Sequence, residues 1–277
     1  MTPKLILTDL DGTLLDEQKQ LSPANRAALE RAAATGCHVV IATGRFFGGV
    51  PAFLKELPFL RYFILMNGAK VYDRETDQIL YRSEIPMETA KGVFHLLSPL
   101  DCTIDCYQND RGIMPRSYYD RLDHYIPDPV IRMLVQPNRQ PVDDLLATLE
   151  ANGDTVQKMQ AFFADLSLRP QVMELLEREF PELVQTISLP NNLELNAAGA
   201  TKGHALEALC RHLGLDLLDA AAFGDGTNDL TMIQRAGVGV AMENGAPLVR
   251  EHADLIAPAN TQDGVAAILS RWFPPVS

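Results

Sequence analysis

Asp9 and Asp11 stand one residue apart at the end of a short apolar run, in "KLILTDLDGT", and Gly12 and Thr13 follow at once. A strand that ends in two carboxylates aims them at one place, and burial there is costly for a charged group without partners. Three other stretches offer partners. "IATGR" closes a second apolar run with Thr43 and Gly44, a hydroxyl and an approachable backbone N–H of the kind that can hold an anion. "TKG" sets Lys202 in the first turn of a helix, where the helix dipole disfavours a cation unless its charge serves a ligand. "FGDGTND" brings Asp225, Asn228 and Asp229 to the junction of a third apolar run and the next helix.

If these runs are parallel strands of one sheet, their C-terminal ends converge in the crevice where open α/β sheets bind ligands. Asp9, Asp11, Asp225 and Asp229 would then repel one another unless a divalent cation sat among them. Oxygen-only donors suit Mg²⁺, which combines one or two carboxylates with waters and a substrate phosphate oxygen. A calcium loop starting at Asp9 would need glycine where Leu14 stands and an acid where Gln20 stands, and it has neither. Cys102 and Cys106 have neither zinc-site nor redox spacing, so the four cysteines read as reduced and structural. The six histidines read as incidental.

The elements that must position these residues alternate. "SPANRAALERAAATG" reads as a helix with Ser22 as N-cap, Pro23 at the first helical position and Gly36 as the stop. It lies between apolar strands over residues 4–9 and 37–43, and a third strand follows in "YFILMNGA". After residue 196 the rhythm returns, with Thr201 capping a helix that Gly214 ends. The fold class is therefore α/β, a doubly wound, Rossmann-like parallel sheet built from residues 1–84 and 196–277. Residues 85–195 read as an inserted α+β domain, with a strand at "IRMLVQ" and helices in "PVDDLLATLEANG" and "PQVMELLEREF".

The chain has 277 residues, 47% hydrophobic and 22% charged, which suits an ordinary globular protein. Its formal net charge of −12 opposes nucleic-acid binding, so an anionic substrate must be drawn in by local cations or a metal. No apolar run is long enough for a bilayer, and an aspartate interrupts the N-terminal apolar stretch where a signal peptide would continue. A cytoplasmic monomer with no membrane partner is the expectation. Arg45 and Asn67, just after core strands, are candidate substrate contacts as well as ordinary turn residues. In the insert, Arg116, Tyr118, Tyr119 and His124 are polar enough to face a ligand.

In order along the chain, "DLDGTLL", "ATGR", "TKG" and "GDGTND" resemble the four motifs of the haloacid dehalogenase superfamily. The insert resembles the large cap of its Cof-type sugar-phosphate phosphatases, and the tail "AGVGVAMENGAPLVREHADLIAPANTQDGVAAIL" is similar to that subfamily's C-terminal signature. The resemblance implies a Mg²⁺-dependent phosphatase acting on small phosphorylated metabolites. It implies Asp9 as nucleophile and Asp11 as general acid and then base, with a pKa nearer neutrality than free aspartate. Thr43, Gly44, Lys202 and Asn228 would hold the phosphoryl oxygens. Asp9, the main-chain carbonyl of Asp11, and Asp225 would bind the metal, with Asp229 orienting waters or Lys202 from behind. Ala200 before "TKG" and Glu243 after "VAM" depart from the pattern without touching a catalytic role. Dehalogenases of the superfamily lack the second aspartate, so Asp11 favours phosphoryl transfer. A phosphomutase of the phosphomannomutase kind, or a non-catalytic binding protein on the same fold, would share the layout.

Overall fold

In the computed structural model, which describes residues 2–275, the strand Leu5–Thr8 lies at the centre of an eight-stranded sheet. Leu5, Ile6 and Leu7 are wholly buried, as a central strand covered on both faces requires. Burial of each such side chain is worth about 1.5–3 kcal/mol. On one side of this strand lie His38–Ala42 and Leu60–Leu65, and on the other Ala220–Gly224, Val238–Met242 and Leu255–Ala257, all parallel.

Register then decides what meets at the C-terminal ends. Thr8 pairs with Phe223 on one side and with Ile41 on the other, so Asp9, Asp225 and Thr43 emerge side by side. The first helix, Pro23–Ala34, starts as the sequence indicates: Ser22 accepts a hydrogen bond from the Asn25 N–H, and Pro23 occupies the first helical position. Asn25 ties this helix to the closing helix Gly264–Trp272 by accepting the Ala266 N–H at 2.9 Å.

Beyond Leu60–Leu65 the sheet is no longer parallel. Lys70–Asp73 and Gln78–Arg82 add a hairpin, antiparallel to its neighbour and within itself. Asp77, at positive φ, sits in its turn. The alternating strand–helix rhythm predicts only parallel strands, and this edge departs from it.

The chain divides into two units, at Arg82/Ser83 and at Ala198/Gly199. The inserted unit is built on a six-stranded sheet in the order Leu183–Thr186, Asn192–Ala197, Lys158–Phe162, Asp105–Gln108, Arg111–Pro115, Arg139–Val142. Its pairs are antiparallel except the last. A buried polar network runs across this sheet: Arg139 bonds to Asp105, Tyr107 and Gln160, and Lys158 to Glu194 at 2.7 Å. The strand expected at "IRMLVQ" is a helix instead, Pro129–Val135. Asp128 caps it by accepting the Val130 N–H, and Pro129 begins it. That Asp–Pro signature preceded the β-branched run and outweighs its strand preference. The helix expected in "PVDDLLATLEANG" starts only at Leu145, because Pro141 and Val142 belong to a strand and Asp144 is the cap.

No helix among the described residues is long and apolar enough to cross a membrane.

Candidate active site

Lys202 is the second residue of "TKG" and the first of the helix Lys202–Leu213, which Thr201 caps by accepting the His204 N–H. Its side chain is wholly buried, and its ammonium lies 2.6 Å from Asp9 Oδ1 and 2.5 Å from Asp229 Oδ1. Asp229 is otherwise committed: its Oδ2 accepts the backbone N–H groups of Asp225 and Gly226, each at 2.9 Å. Asp225 accepts the Thr13 hydroxyl at 2.8 Å. Carboxylate oxygens of Asp9, Asp225 and Asp229 lie within 4.8 Å of one another.

One ammonium cannot neutralise three carboxylates, and the deficit adds to burial in raising the proton affinities of Asp9 and Asp225. Asp9 is pushed up to about 8 by burial, which outweighs Lys202, with Asp229 and Asp225 adding repulsion. Asp225 is pushed up to about 6, by burial first and then by Asp229. Lys202 is raised, because Asp229 and Asp9 together overcome the penalty of burying it. With all three carboxylates ionised the local balance is −2, the charge that one divalent cation cancels. Asp9 Oδ2 and Asp225 Oδ2 accept no hydrogen bond among the described residues. The donors are all oxygen, with no histidine or cysteine among them, so the cluster fits Mg²⁺ better than zinc.

Two glycines make the cluster possible. Gly12 has φ +89°, and a Cβ there would run into the Asp225 carboxylate. At Gly44 a Cβ would stand 2.8 Å from Asn67 Oδ1, so only a bare backbone fits between the two loops. Those loops are stitched together: the Met66 N–H bonds to the Arg45 carbonyl and the Asn67 N–H to the Thr43 carbonyl, each at 3.1 Å. Met66 and Asn67 both sit at positive φ, an unfavourable conformation that this stitching imposes on non-glycine residues. The Asn228 amide donates to Asn67 Oδ1 at 3.1 Å, and the Thr43 hydroxyl accepts the Arg45 N–H at 3.2 Å.

Thus Asp9, Thr43, Gly44, Asn67, Lys202, Asp225, Asn228 and Asp229 are gathered on one sheet edge. Asp11 is held differently. Its carboxylate receives a two-pronged bond from Arg45, Nε to Oδ2 at 2.8 Å and Nη2 to Oδ1 at 2.7 Å, and an ion pair from Lys19 at 2.9 Å. The expectation of a pKa nearer neutrality is not met. Burial raises it, but the Arg45 and Lys19 contacts outweigh burial and hold the carboxyl below its ordinary value. Arg45, read from the sequence as a candidate substrate contact or a turn residue, is in this structure the partner of Asp11.

The sequence reading missed Thr13 as the partner of Asp225, although it stands inside "DLDGT". It also missed Lys19, which carries no local signal, since a basic residue in a loop reads as surface. In the insert, Arg116 pairs with Asp143, and His124 lies 3.5 Å from the Asp101 carboxylate. Tyr118 lines a pocket of about 390 Å³ with Phe94, Ser117, Arg121, Asp143 and Leu145. Tyr119 packs against the small cluster around Leu122 and Phe162.

A family model for haloacid dehalogenase-like hydrolases matches residues 6–269, nearly the whole chain. The chain belongs to that family. It is 30% identical over 273 residues to a 5-amino-6-(5-phospho-D-ribitylamino)uracil phosphatase of Bacillus subtilis, covering 97% of this chain and 95% of that one. To a pyridoxal phosphate phosphatase of Escherichia coli it is 27% identical over 271 residues, covering 97% and 98%. A crystal structure of a haloacid dehalogenase-like hydrolase from Bacteroides thetaiotaomicron matches 98% of this chain and all of its own, with 30% identity and a TM-score of 0.83. The kinship places the chain among the phosphoric monoester hydrolases of the superfamily.

Proposed function

We propose that this enzyme is a Mg²⁺-dependent phosphatase that hydrolyses small phosphorylated metabolites, sugar phosphates or similar, through an aspartyl phosphate on Asp9. One observation carries the reading: a buried carboxylate, Asp9, contacts the buried Lys202 through one oxygen and leaves the other free, inside a cluster that, with its three carboxylates ionised, is two charges short of neutral. The two phosphatase relatives act, by their names, on esters of a ribitylaminouracil and of pyridoxal, which supports small phosphorylated metabolites as the substrate class.

Asp9 and Asp225 would hold Mg²⁺ together with the main-chain carbonyl of Asp11, and Asp229 would fix Lys202 and the Asp225 backbone behind them. When bound, the metal supplies positive charge that neutralises the phosphoryl oxygens. In the first step a free oxygen of Asp9 attacks phosphorus in line, the ester P–O bond breaks, and the leaving oxygen takes a proton from Asp11. In the second, Asp11 accepts a proton from water, the water oxygen attacks phosphorus, and the Asp9–phosphorus bond breaks to release inorganic phosphate. Lys202, with Thr43, the Gly44 N–H and Asn228, holds the phosphoryl oxygens at the sheet edge. The Arg45 and Lys19 contacts that hold the Asp11 carboxyl below its ordinary value favour the ionised form, which is the one the second step uses.

The test is phosphate release from a panel of phosphorylated metabolites, with Mg²⁺ and with EDTA, by the native enzyme and by Asp9→Asn. Hydrolysis that needs Mg²⁺ and disappears in Asp9→Asn is the expected result. Hydrolysis that survives Asp9→Asn unchanged refutes the assigned nucleophile, and turnover that requires a sugar bisphosphate would indicate a mutase.

A further inference from the structure

Around Asp11 the pairing is the reverse of that around Lys202. Two cations, Arg45 and Lys19, contact the one Asp11 carboxylate, on a chain whose formal net charge is −12. Both cations are fixed. The Arg45 fork holds both Asp11 oxygens, and its third nitrogen donates to the Gly49 carbonyl at 2.9 Å. Lys19 sits at φ +60°, rare for a residue with a side chain, in a turn closed by the Lys19 N–H to the Asp16 carbonyl and by the Gln20 N–H to the Asp16 carboxylate. Both also remain open to solvent, with side-chain exposures of 29% for Arg45 and 51% for Lys19. A guanidinium has five N–H donors and an ammonium three. Arg45 uses three of its five and Lys19 one of its three, so each keeps two donors without a partner among the described residues.

Two cations held against a single carboxylate, with spare donors and exposure to solvent, together describe an anion-binding corner. We infer that Lys19 and Arg45 form a subsite for a second anionic group on the substrate, a carboxylate or a further phosphate, next to the oxygen that Asp11 protonates. The inference rests on the function proposed above, since only there does Asp11 mark the leaving oxygen. It narrows the substrate class to phosphate esters whose alcohol carries another acid. Lys202 is not available for that second anion, because two of its three donors are committed to Asp9 and Asp229 and the proposed mechanism gives the third to the transferring phosphoryl group.

The experiment compares kcat/KM within two pairs of probes, with p-nitrophenyl phosphate as a reference for the parent activity. In the carboxylate arm 3-phosphoglycerate is set against glycerol 3-phosphate. In the phosphate arm fructose 1,6-bisphosphate is set against fructose 6-phosphate. In at least one pair the doubly acidic member should be preferred by about tenfold or more, the scale of one charged hydrogen bond. The arm that shows the preference identifies the second acid. In Lys19→Gln and in Arg45→Gln the preference should fall towards unity, mainly through KM. Absence of a preference in both pairs, or a preference that both variants retain in full, overturns the subsite. If p-nitrophenyl phosphate is hydrolysed while neither pair discriminates, the subsite alone is wrong. If none of the five esters releases phosphate, the parent reading fails and the subsite with it.

Discussion

Replacing Lys202 by methionine is the sharpest perturbation this core offers, because shape is nearly kept while the only ammonium in the cluster is removed. In the native protein that ammonium is wholly buried, 2.6 Å from one carboxylate and 2.5 Å from another whose side chain is 1% exposed. Without it, Asp9, Asp225 and Asp229 face one another with no counter-charge. Removing one partner from a buried ion pair costs about 3–5 kcal/mol, chiefly from the charge left behind. For a domain of this size, where 1 kcal/mol moves the melting point by about 2–4 °C, Lys202→Met should melt roughly 6–20 °C below the native protein. Differential scanning fluorimetry in EDTA, checked by circular dichroism, reads this directly. The double variant Lys202→Met/Asp229→Asn should recover part of the loss, since it removes one of the stranded charges. Phosphate release by Lys202→Met should fall by about 10²–10³, the scale of one preorganised charge contact. A melting point within about 2 °C of native would refute the reasoning, because it would mean that the three carboxylates do not depend on Lys202.

Two further outcomes follow from groups away from this cluster. The four cysteines are buried and free, and burial pushes the Cys37 and Cys102 thiols up to about 12 and Cys210 up to about 11. At pH 8 the native protein should therefore react with a thiol reagent only slowly, and all four thiols should react in guanidinium; rapid native labelling would contradict the packing. Asp73 is held down to about 2, by the Arg61 fork first, and stability from a lowered carboxyl is present above its ordinary value of 3.8 and lost as pH falls through about 2. Asp73→Asn should cost about 1 kcal/mol at neutral pH, solvent screening of the half-exposed Arg61 allowed for, and the difference should vanish near pH 2. Chemical denaturation of both proteins across that range measures it.

Much of the placement of the candidate site was legible because it depends on local order. An apolar run that stops at Asp9, one that stops before Thr43 and one that stops before Asp225 are each visible in the sequence, and a parallel sheet brings the ends of such runs to one edge whatever lies between. The caps at Ser22 and Thr201 were legible for the same reason, since each needs only three or four consecutive residues. The helix Pro129–Val135 was missed: Asp128 and Pro129 signal its start, but the β-branched run that follows them reads as a strand.

What the sequence by itself determined, then, is which residues end the strands, and hence which side chains can share the crevice. Only the tertiary structure decided how charge is divided among them. Lys202 could have served any carboxylate, and the helix that carries it delivers it to Asp9 and Asp229. Asp11 looked like a partner of Asp9, yet the loops after two different strands bring Arg45 and Lys19 to it instead. The physical reason is range: hydrophobic periodicity and capping act over a few residues, whereas an ion pair depends on where separate loops are held, and that is set by the packing of the whole unit.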